Sequence, residues 1–227
     1  MPPAVQTVSE TEKAFFEKNG YLIVRAVFTS AEMAECKQAA RETIEQKTGP
    51  SGVYVWWCDE IPPLFERISC DPRLVAILNP LLGPEIEFLS AKPVHKSAAI
   101  TFASPWHQDR AYWGGAPKYS IWIALEEATE ENGCLRVIPG SHREFLGHAN
   151  VSDHNGFNNR VREEELKDAH VVDAPMHIGD ILVFHDCLLH SSYPNRSGQD
   201  RWCFIPTYRN AAVPDVSTTW KTSRQLT

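Results

Sequence analysis

The segment Trp106-His107-Gln108-Asp109 sets an imidazole and a carboxylate two residues apart. On a strand such residues share a face, so both could converge on one point. A surface histidine beside an aspartate has the same spelling, and the pair gains meaning only with a third ligand. The later segment Gly179 to Ser197 offers two, His185 and His190. Two histidines and one carboxylate occupy one face of an octahedral metal, leaving positions for a chelating cosubstrate and dioxygen. This donor set suits iron(II), whereas zinc more often takes a closed tetrahedral site or keeps one open position.

The choice between the histidines rests on arginines. His185 is followed eleven residues on by Arg196, and His190 at the same spacing by Arg201. Arg196 lies in Pro194-Asn195-Arg196-Ser197-Gly198, a turn that would hold its side chain in water. Arg201 opens the apolar run Trp202-Cys203-Phe204-Ile205-Pro206 and could project into a barrel interior. A buried arginine needs an anionic partner, and a cosubstrate carboxylate would fit its planar fork. His107, Asp109 and His190 are therefore the expected metal ligands and catalytic centre, with Arg201 binding the cosubstrate. His185 is read as a packed or supporting histidine. Gln108, between two ligands on a strand, should face away from the metal.

Elements that would position these residues can be read around them. Ser9 should cap a helix to about Lys18, stopped by Asn19-Gly20. Tyr21 to Phe28 reads as a buried strand, and Ser30 should cap a helix to about Lys47, ended by Gly49-Pro50. Asp71-Pro72 starts a further helix that ends near Gly83. From Glu85 onward the pattern turns to short strands: Glu87–Ala91, Tyr119–Leu125, Cys134–Ile138, His170–Val172, Ile181–His185 and Arg201–Tyr208. Turns are expected at Asn132-Gly133, Pro139-Gly140 and Gly179-Asp180. Many short strands with turn punctuation suggest a sandwich or barrel. The expected organisation is one domain over 1–227, mainly β, with a mostly helical flank over 1–84 and a barrel core over 85–210.

These segments resemble the phytanoyl-CoA dioxygenase family. The resemblance rests on Trp106-His107-Gln108-Asp109, on Glu131-Asn132-Gly133-Cys134-Leu135 leading to Pro139-Gly140-Ser141-His142, on Gly179-Asp180, and on His190 through Asn195 and Ser197 to Arg201. Phe15-Phe16-Glu17-Lys18-Asn19-Gly20-Tyr21 resembles the family opening. The family implies a double-stranded β-helix, a jelly-roll or cupin-like barrel, with iron(II) and 2-oxoglutarate at its mouth and dioxygen as oxidant. It implies that Ser192 joins Arg201 on the far carboxylate of 2-oxoglutarate, and that Lys92 and Trp122 line the cosubstrate pocket. The implied reaction oxidises a C–H bond of a small organic molecule, usually to an alcohol, and releases succinate and CO2. Related halogenases carry a small residue where this chain has Asp109, so the carboxylate implies oxidation rather than chlorination.

Aromatic side chains often line ligand pockets, which makes Trp113, Tyr112 and Trp57 candidate substrate contacts and Tyr54 to Trp57 a candidate lid. The other histidines, His95, His142, His148, His154, His170 and His177, are expected to be structural or exposed. The net charge of −7, without a basic run, argues against nucleic acid and an anionic membrane surface as partners. Met1 to Val5 lacks the pattern of a secretory leader, and a cytoplasmic monomer or homodimer with six reduced cysteines is expected. Two rival readings share the barrel: a cupin-like protein that binds metal or ligand without turnover, and a zinc hydrolase or isomerase. The arginine paired with His190 disfavours the first, since a metal binder has no need of it.

Overall fold

A helical layer precedes the barrel, and local hydrogen bonds explain where its helices begin. In the computed structural model, which describes residues 5–45, 52–151 and 157–226, helix α1 (Glu10–Asn19) starts with a capping box. Ser9 accepts from the Glu12 amide, and Glu12 accepts from Ser9. Gly20, with φ 80°, ends it. Helix α2 (Ser30–Glu45) is capped one residue earlier than expected. Thr29 Oγ1 accepts from Glu32 N at 3.3 Å, and the Glu32 carboxylate accepts from Thr29 N at 2.7 Å. Ser30, without a glutamate at the required spacing, is simply the first helical residue. The expected stop at Gly49-Pro50 lies outside the described residues. Strand β1 (Tyr21–Val24) is shorter than the run to Phe28 because Asp180 takes the Ala26 amide at 2.8 Å, and Ala26 has φ 54°. After strand β2 (Trp56–Trp57), helix α3 (Pro63–Ser69) was not expected, since its cap, Pro62, offers no side-chain acceptor. Helix α4 (Pro72–Leu82) begins where Asp71-Pro72 predicts.

The remaining elements are β3 (Ile86–Lys96), β4 (Ser104–His107), α5 (Arg110–Trp113), β5 (Lys118–Ala124), β6 (Leu135–Val137), β7 (Ala149–Asn150), β8 (Asn159–Arg160), β9 (Val172–Ala174), β10 (Ile181–His185), β11 (His190–Ser192), β12 (Arg201–Asn210) and β13 (Arg224–Leu226). The strand expected at 170–172 therefore sits two residues further on. A seven-stranded antiparallel sheet runs β1-β10-β5-β12-β3-β13, with β2 also paired to β3, and a four-stranded sheet runs β4-β11-β6-β9. Facing one another, they form the double-stranded β-helix.

Strand alternation divides the large sheet into two faces. Ile121, Ile123, Ile181, Val183, Trp202 and Phe204 pack against the helices. Trp122, Ala124, Leu182, Phe184 and Cys203 point inward, where Leu135 and Val137 of the small sheet meet them. Because both faces are covered, these strands read as almost continuous apolar runs. The six cysteines are free thiols. Among the described residues, no helix is long and apolar enough to cross a membrane.

The turn before β10 joins the two layers. Phe28 N donates to Gly179 O at 3.1 Å, and Gly179 has φ +85° with no room for a Cβ, which would clash with Phe28 O. Gly179→Ala is expected to cost at least about 2 kcal/mol, from the unfavourable backbone and the forced separation of the layers. That corresponds to a fall in Tm of roughly 4–8 °C for a chain of this size. Gly147→Ala, where nothing lies within 4 Å of an added Cβ, should leave Tm nearly unchanged in the same melting experiment.

Candidate metal centre

The small sheet brings the two histidines together. His107 ends β4, His190 begins β11, and they are direct cross-strand partners with ring centroids 4.2 Å apart. Ser104 and Ser192 form the next pair. Ser104 lies three residues before His107, whereas Ser192 lies two residues after His190, so β4 carries one extra residue. This bulge turns both Ser104 and His107 inward, which strict alternation would forbid.

Asp109 reaches the centre differently from the sequence expectation. It does not share a strand with His107; β4 has ended, and Asp109 adopts φ −57° and ψ −30° at the start of α5. The turn, not strand alternation, aims its carboxylate back at the histidines. Gln108 holds that turn. Its amide donates to Glu144 O at 2.7 Å and Cys187 O at 2.6 Å, and its carbonyl accepts from Leu146 N at 2.9 Å. It faces away from the centre and is fully buried.

The resulting geometry is that of a ligand set. Asp109 Oδ1 lies 3.5 Å from His107 Nε2 and 3.9 Å from His190 Nε2. One donor atom from each residue lies within 4.8 Å of the others. His107 Nδ1 donates to Pro105 O at 2.8 Å, and His190 Nδ1 to Leu188 O at 3.0 Å. A carbonyl only accepts, so each Nδ1 carries the proton and each Nε2 presents its lone pair inward. Burial, helped by His107, pushes His190 down to about 4, so it is neutral and able to ligate at ordinary pH. Burial alone would raise the Asp109 carboxyl, but the Lys92 ammonium, 3.8 Å from Oδ2, together with His107 and His190 outweighs it and holds the group below the usual carboxylate range.

His185 stands elsewhere. Together with Asp186 and Cys187 it forms a second trio within ligating distance, but these atoms already have partners. His185 Nδ1 accepts from Cys187 N at 3.0 Å. Asp186 accepts from Arg110 at 2.9 Å, Trp113 at 3.1 Å and the Lys118 amide at 3.2 Å. That trio anchors the chain following Asp109 rather than presenting open ligands.

A cavity opens directly beside the centre. It is lined by Lys92, Trp122, Ser192 and Arg201, as well as the three ligands. Arg201 is 1% exposed, with its guanidinium 5.5 Å from the Trp122 ring centre. Its Nη1 contacts Cys203 Sγ at 3.1 Å, while its Nε is buried with no hydrogen-bond partner. Among the described residues no carboxylate pairs with it. A chelating dicarboxylate would meet that need, and two imidazole nitrogens with an anionic carboxylate fit a divalent iron.

The expected substrate aromatics are not among the cavity-lining residues, although Tyr112 stands edge-on to His107 at 6.0 Å and the Trp113 ring lies 5.2 Å from Lys92 Nζ. Tyr112 donates to Asn159 O at 3.0 Å, and Trp113 gives its N–H to Asp186 while its ring packs at a tilt beside Trp220. Trp57 lies on β2 and is 36% exposed. Within the candidate lid, Trp56 is buried against Phe65, whereas Val55 is exposed. Val53, Phe102 and Phe157 line the cavity instead, joined by Lys96 and Ser104. Lys96 was legible in principle, being four residues after Lys92 on one strand face; Ser104 was hidden by the bulge.

A double-stranded β-helix carrying two histidines and one carboxylate beside an open pocket is the arrangement of a non-haem iron oxygenase. The family model described as phytanoyl-CoA dioxygenase matches residues 16–203, and the chain belongs to that family. It is 28% identical to a probable phytanoyl-CoA dioxygenase of Caenorhabditis elegans, over 89% of this chain and 76% of that protein. It is 26% identical to an ectoine dioxygenase of Sphingopyxis alaskensis, over 83% of this chain and 71% of the relative. The solved epimerase SnoN, in complex with Fe3+, alpha ketoglutarate and nogalamycin RO, superposes with a TM-score of 0.75 at 21% identity. That match covers 89% of this chain and 83% of the epimerase.

Removal of a ligand separates the two histidines experimentally. His190→Ala should weaken iron(II) binding by more than the roughly 10–100-fold typical of losing an outer partner of a ligand. His185→Ala should retain the metal. Anaerobic titration of iron(II) into both variants checks this, and the opposite order would transfer the centre to the second trio.

Proposed function

We propose that this chain is an iron(II)- and 2-oxoglutarate-dependent oxygenase that hydroxylates or otherwise oxidises a C–H bond of a small organic molecule. The observation that carries the reading is one buried cavity holding both the His107–Asp109–His190 set and an arginine without an anion. A protein that only binds metal has no use for a cation whose burial is costly until a carboxylate arrives. Membership of a dioxygenase family supports the same reading.

In this account His107, Asp109 and His190 would hold iron(II), and Arg201 with Ser192 would hold the far carboxylate of 2-oxoglutarate. The bound pair supplies dioxygen activation coupled to loss of CO2 and formation of succinate. The chain's own residues position and exclude. Trp122 walls the side of the cosubstrate site, and Lys92 neutralises the Asp109 oxygen nearest to it. Val53, Phe102 and Phe157 give the remaining wall an apolar surface, suited to keeping water from the reacting bond of a compact, partly apolar substrate. Asp109 fills a position that a halide would need, which favours oxygen insertion or another oxidation. The ectoine dioxygenase and the epimerase show by their names that relatives of this fold reach different outcomes on small molecules.

Replacing Arg201 with alanine breaks a buried ion pair of the loaded site, a loss of roughly 3–5 kcal/mol. The apparent 2-oxoglutarate constant should rise by about two to four decades, with iron(II) binding nearly intact. Arg201→Lys should recover only part, since a point charge cannot form the fork. Arg196→Ala, at an exposed position, is the matched control. Equal affinities for wild type and Arg201→Ala would sink the cosubstrate assignment.

With a turned-over substrate, labelled dioxygen should leave one labelled oxygen in the product, or a two-electron oxidation, with one succinate formed per event. Activity supported by zinc in place of iron, without succinate, would favour a hydrolase instead.

A further inference from the structure

The wall beside Arg201 holds a second buried cation. Lys96 ends β3 and is the direct cross-strand partner of Arg201. It lines the same cavity and is 1% exposed. Its Nζ donates to Ser192 Oγ at 2.7 Å and to the Tyr193 carbonyl, and stands 5.0 Å from the Phe102 ring centre. Gly133 closes the other side: a Cβ there would sit 3.0 Å from Lys96 Nζ and 2.7 Å from Tyr193 O. The amine is boxed in and cannot swing out to water.

None of the groups facing it is an anion. Arg201 and Cys203 approach from β12, Ser192 and the Tyr193 carbonyl from β11 and the residue after it, and Ser104 from β4 through Ser192. Cys134, just before β6, and Arg136 on β6 complete the set. Burial pushes both the Cys134 and Cys203 thiols up to about 11, so they stay protonated. Among the described residues no carboxylate pairs with Lys96. Two like charges side by side in a dry wall repel strongly, and of the pair only lysine can shed its charge readily. Burial first, and Arg201 next, push the Lys96 amine down to about 6.

We propose that Lys96 is a second, proton-gated anion-binding group of this pocket, taking up a proton from buffer acid as the far carboxylate of 2-oxoglutarate settles between it and Arg201. The inference rests on the cosubstrate reading above. One N–H bond forms on Lys96, and the proton comes from the solution. A permanent second cation would strain the empty fold; a neutral amine does not, yet it completes the site when the anion arrives. The sign follows from linkage. The bound state holds Lys96 charged and the empty state does not, so affinity is greatest at low pH and falls as pH rises past the empty-site value.

Calorimetric titration of 2-oxoglutarate into the anaerobic iron(II)-loaded chain, in two buffers of different ionisation heat, counts the protons. At about pH 7.5 wild type should take up close to one proton, and affinity should fall about tenfold per pH unit from roughly pH 7 to 9. Lys96→Met, of similar length and without charge, should bind more weakly, take up no proton and lose the slope. Its ligand-free melting temperature should equal or exceed that of wild type, because no buried cation is left beside Arg201. Wild-type binding without proton uptake, or an unchanged slope in Lys96→Met, overturns this inference alone. Failure of wild type to bind 2-oxoglutarate at all overturns it together with the cosubstrate reading.

Discussion

The metal centre depends on one register, the pairing of β11 with β4. In that register His190 stands opposite His107 and Ser192 opposite Ser104. A slip by one residue would send His190 and Ser192 to the other face and Ser191 into the cavity. The short strand is held from both sides. His190 and Ser192 also pair with Val137 and Leu135 of β6. Ile138 N donates to Leu189 O at 3.0 Å, and Leu189 N to Ser141 Oγ at 2.9 Å. The Gln108 amide reaches Cys187 O, so the loop before β11 and the turn at Asp109 are tied to the same side chain. Ligand placement is therefore a property of backbone pairing, with side-chain rotamers adjusting it only locally.

The pairing of β12 with β3 brings basic groups into an otherwise apolar barrel. Lys92, Lys96 and Arg201 face the cavity, and Asp109 is the carboxylate among its lining residues. A buried Arg201 without an anion is unfavourable in the empty protein, and the basic wall becomes favourable once a dianionic cosubstrate arrives. The same imbalance that weakens the fold supplies the binding selectivity. Asp186 works in the opposite sense, as a fully buried carboxylate whose bonds to Arg110, Trp113 and the Lys118 amide fix the chain after Asp109.

What could be read from the sequence was what local rules encode. Asp71-Pro72, Ser9 with Asn19-Gly20, and the strands of the large sheet followed from capping and from apolar runs. His190 and Arg201 could be preferred to His185 and Arg196 because a turn and an apolar run bury an arginine differently. The structure buries Arg201 and exposes Arg196. What failed to show was set by irregular backbone or by tertiary packing. The bulge in β4 concealed Ser104, and the turn after it gave Asp109 a setting that strand alternation did not foresee. Trp57, Tyr112 and Trp113 illustrate that aromatic side chains read alike whether they line a pocket or pack beside it. Lys96 was not singled out, and its burial beside its cross-strand partner Arg201 shows its place in the same wall.

The most direct test is a crystal structure of the chain grown anaerobically with iron(II) and 2-oxoglutarate. Metal is expected on the Nε2 atoms of His107 and His190 and on the Asp109 carboxylate, with the far carboxylate of 2-oxoglutarate against Arg201 and Ser192. Metal on His185, Asp186 and Cys187, or a cosubstrate whose far carboxylate leaves Arg201 unpaired, would contradict that placement.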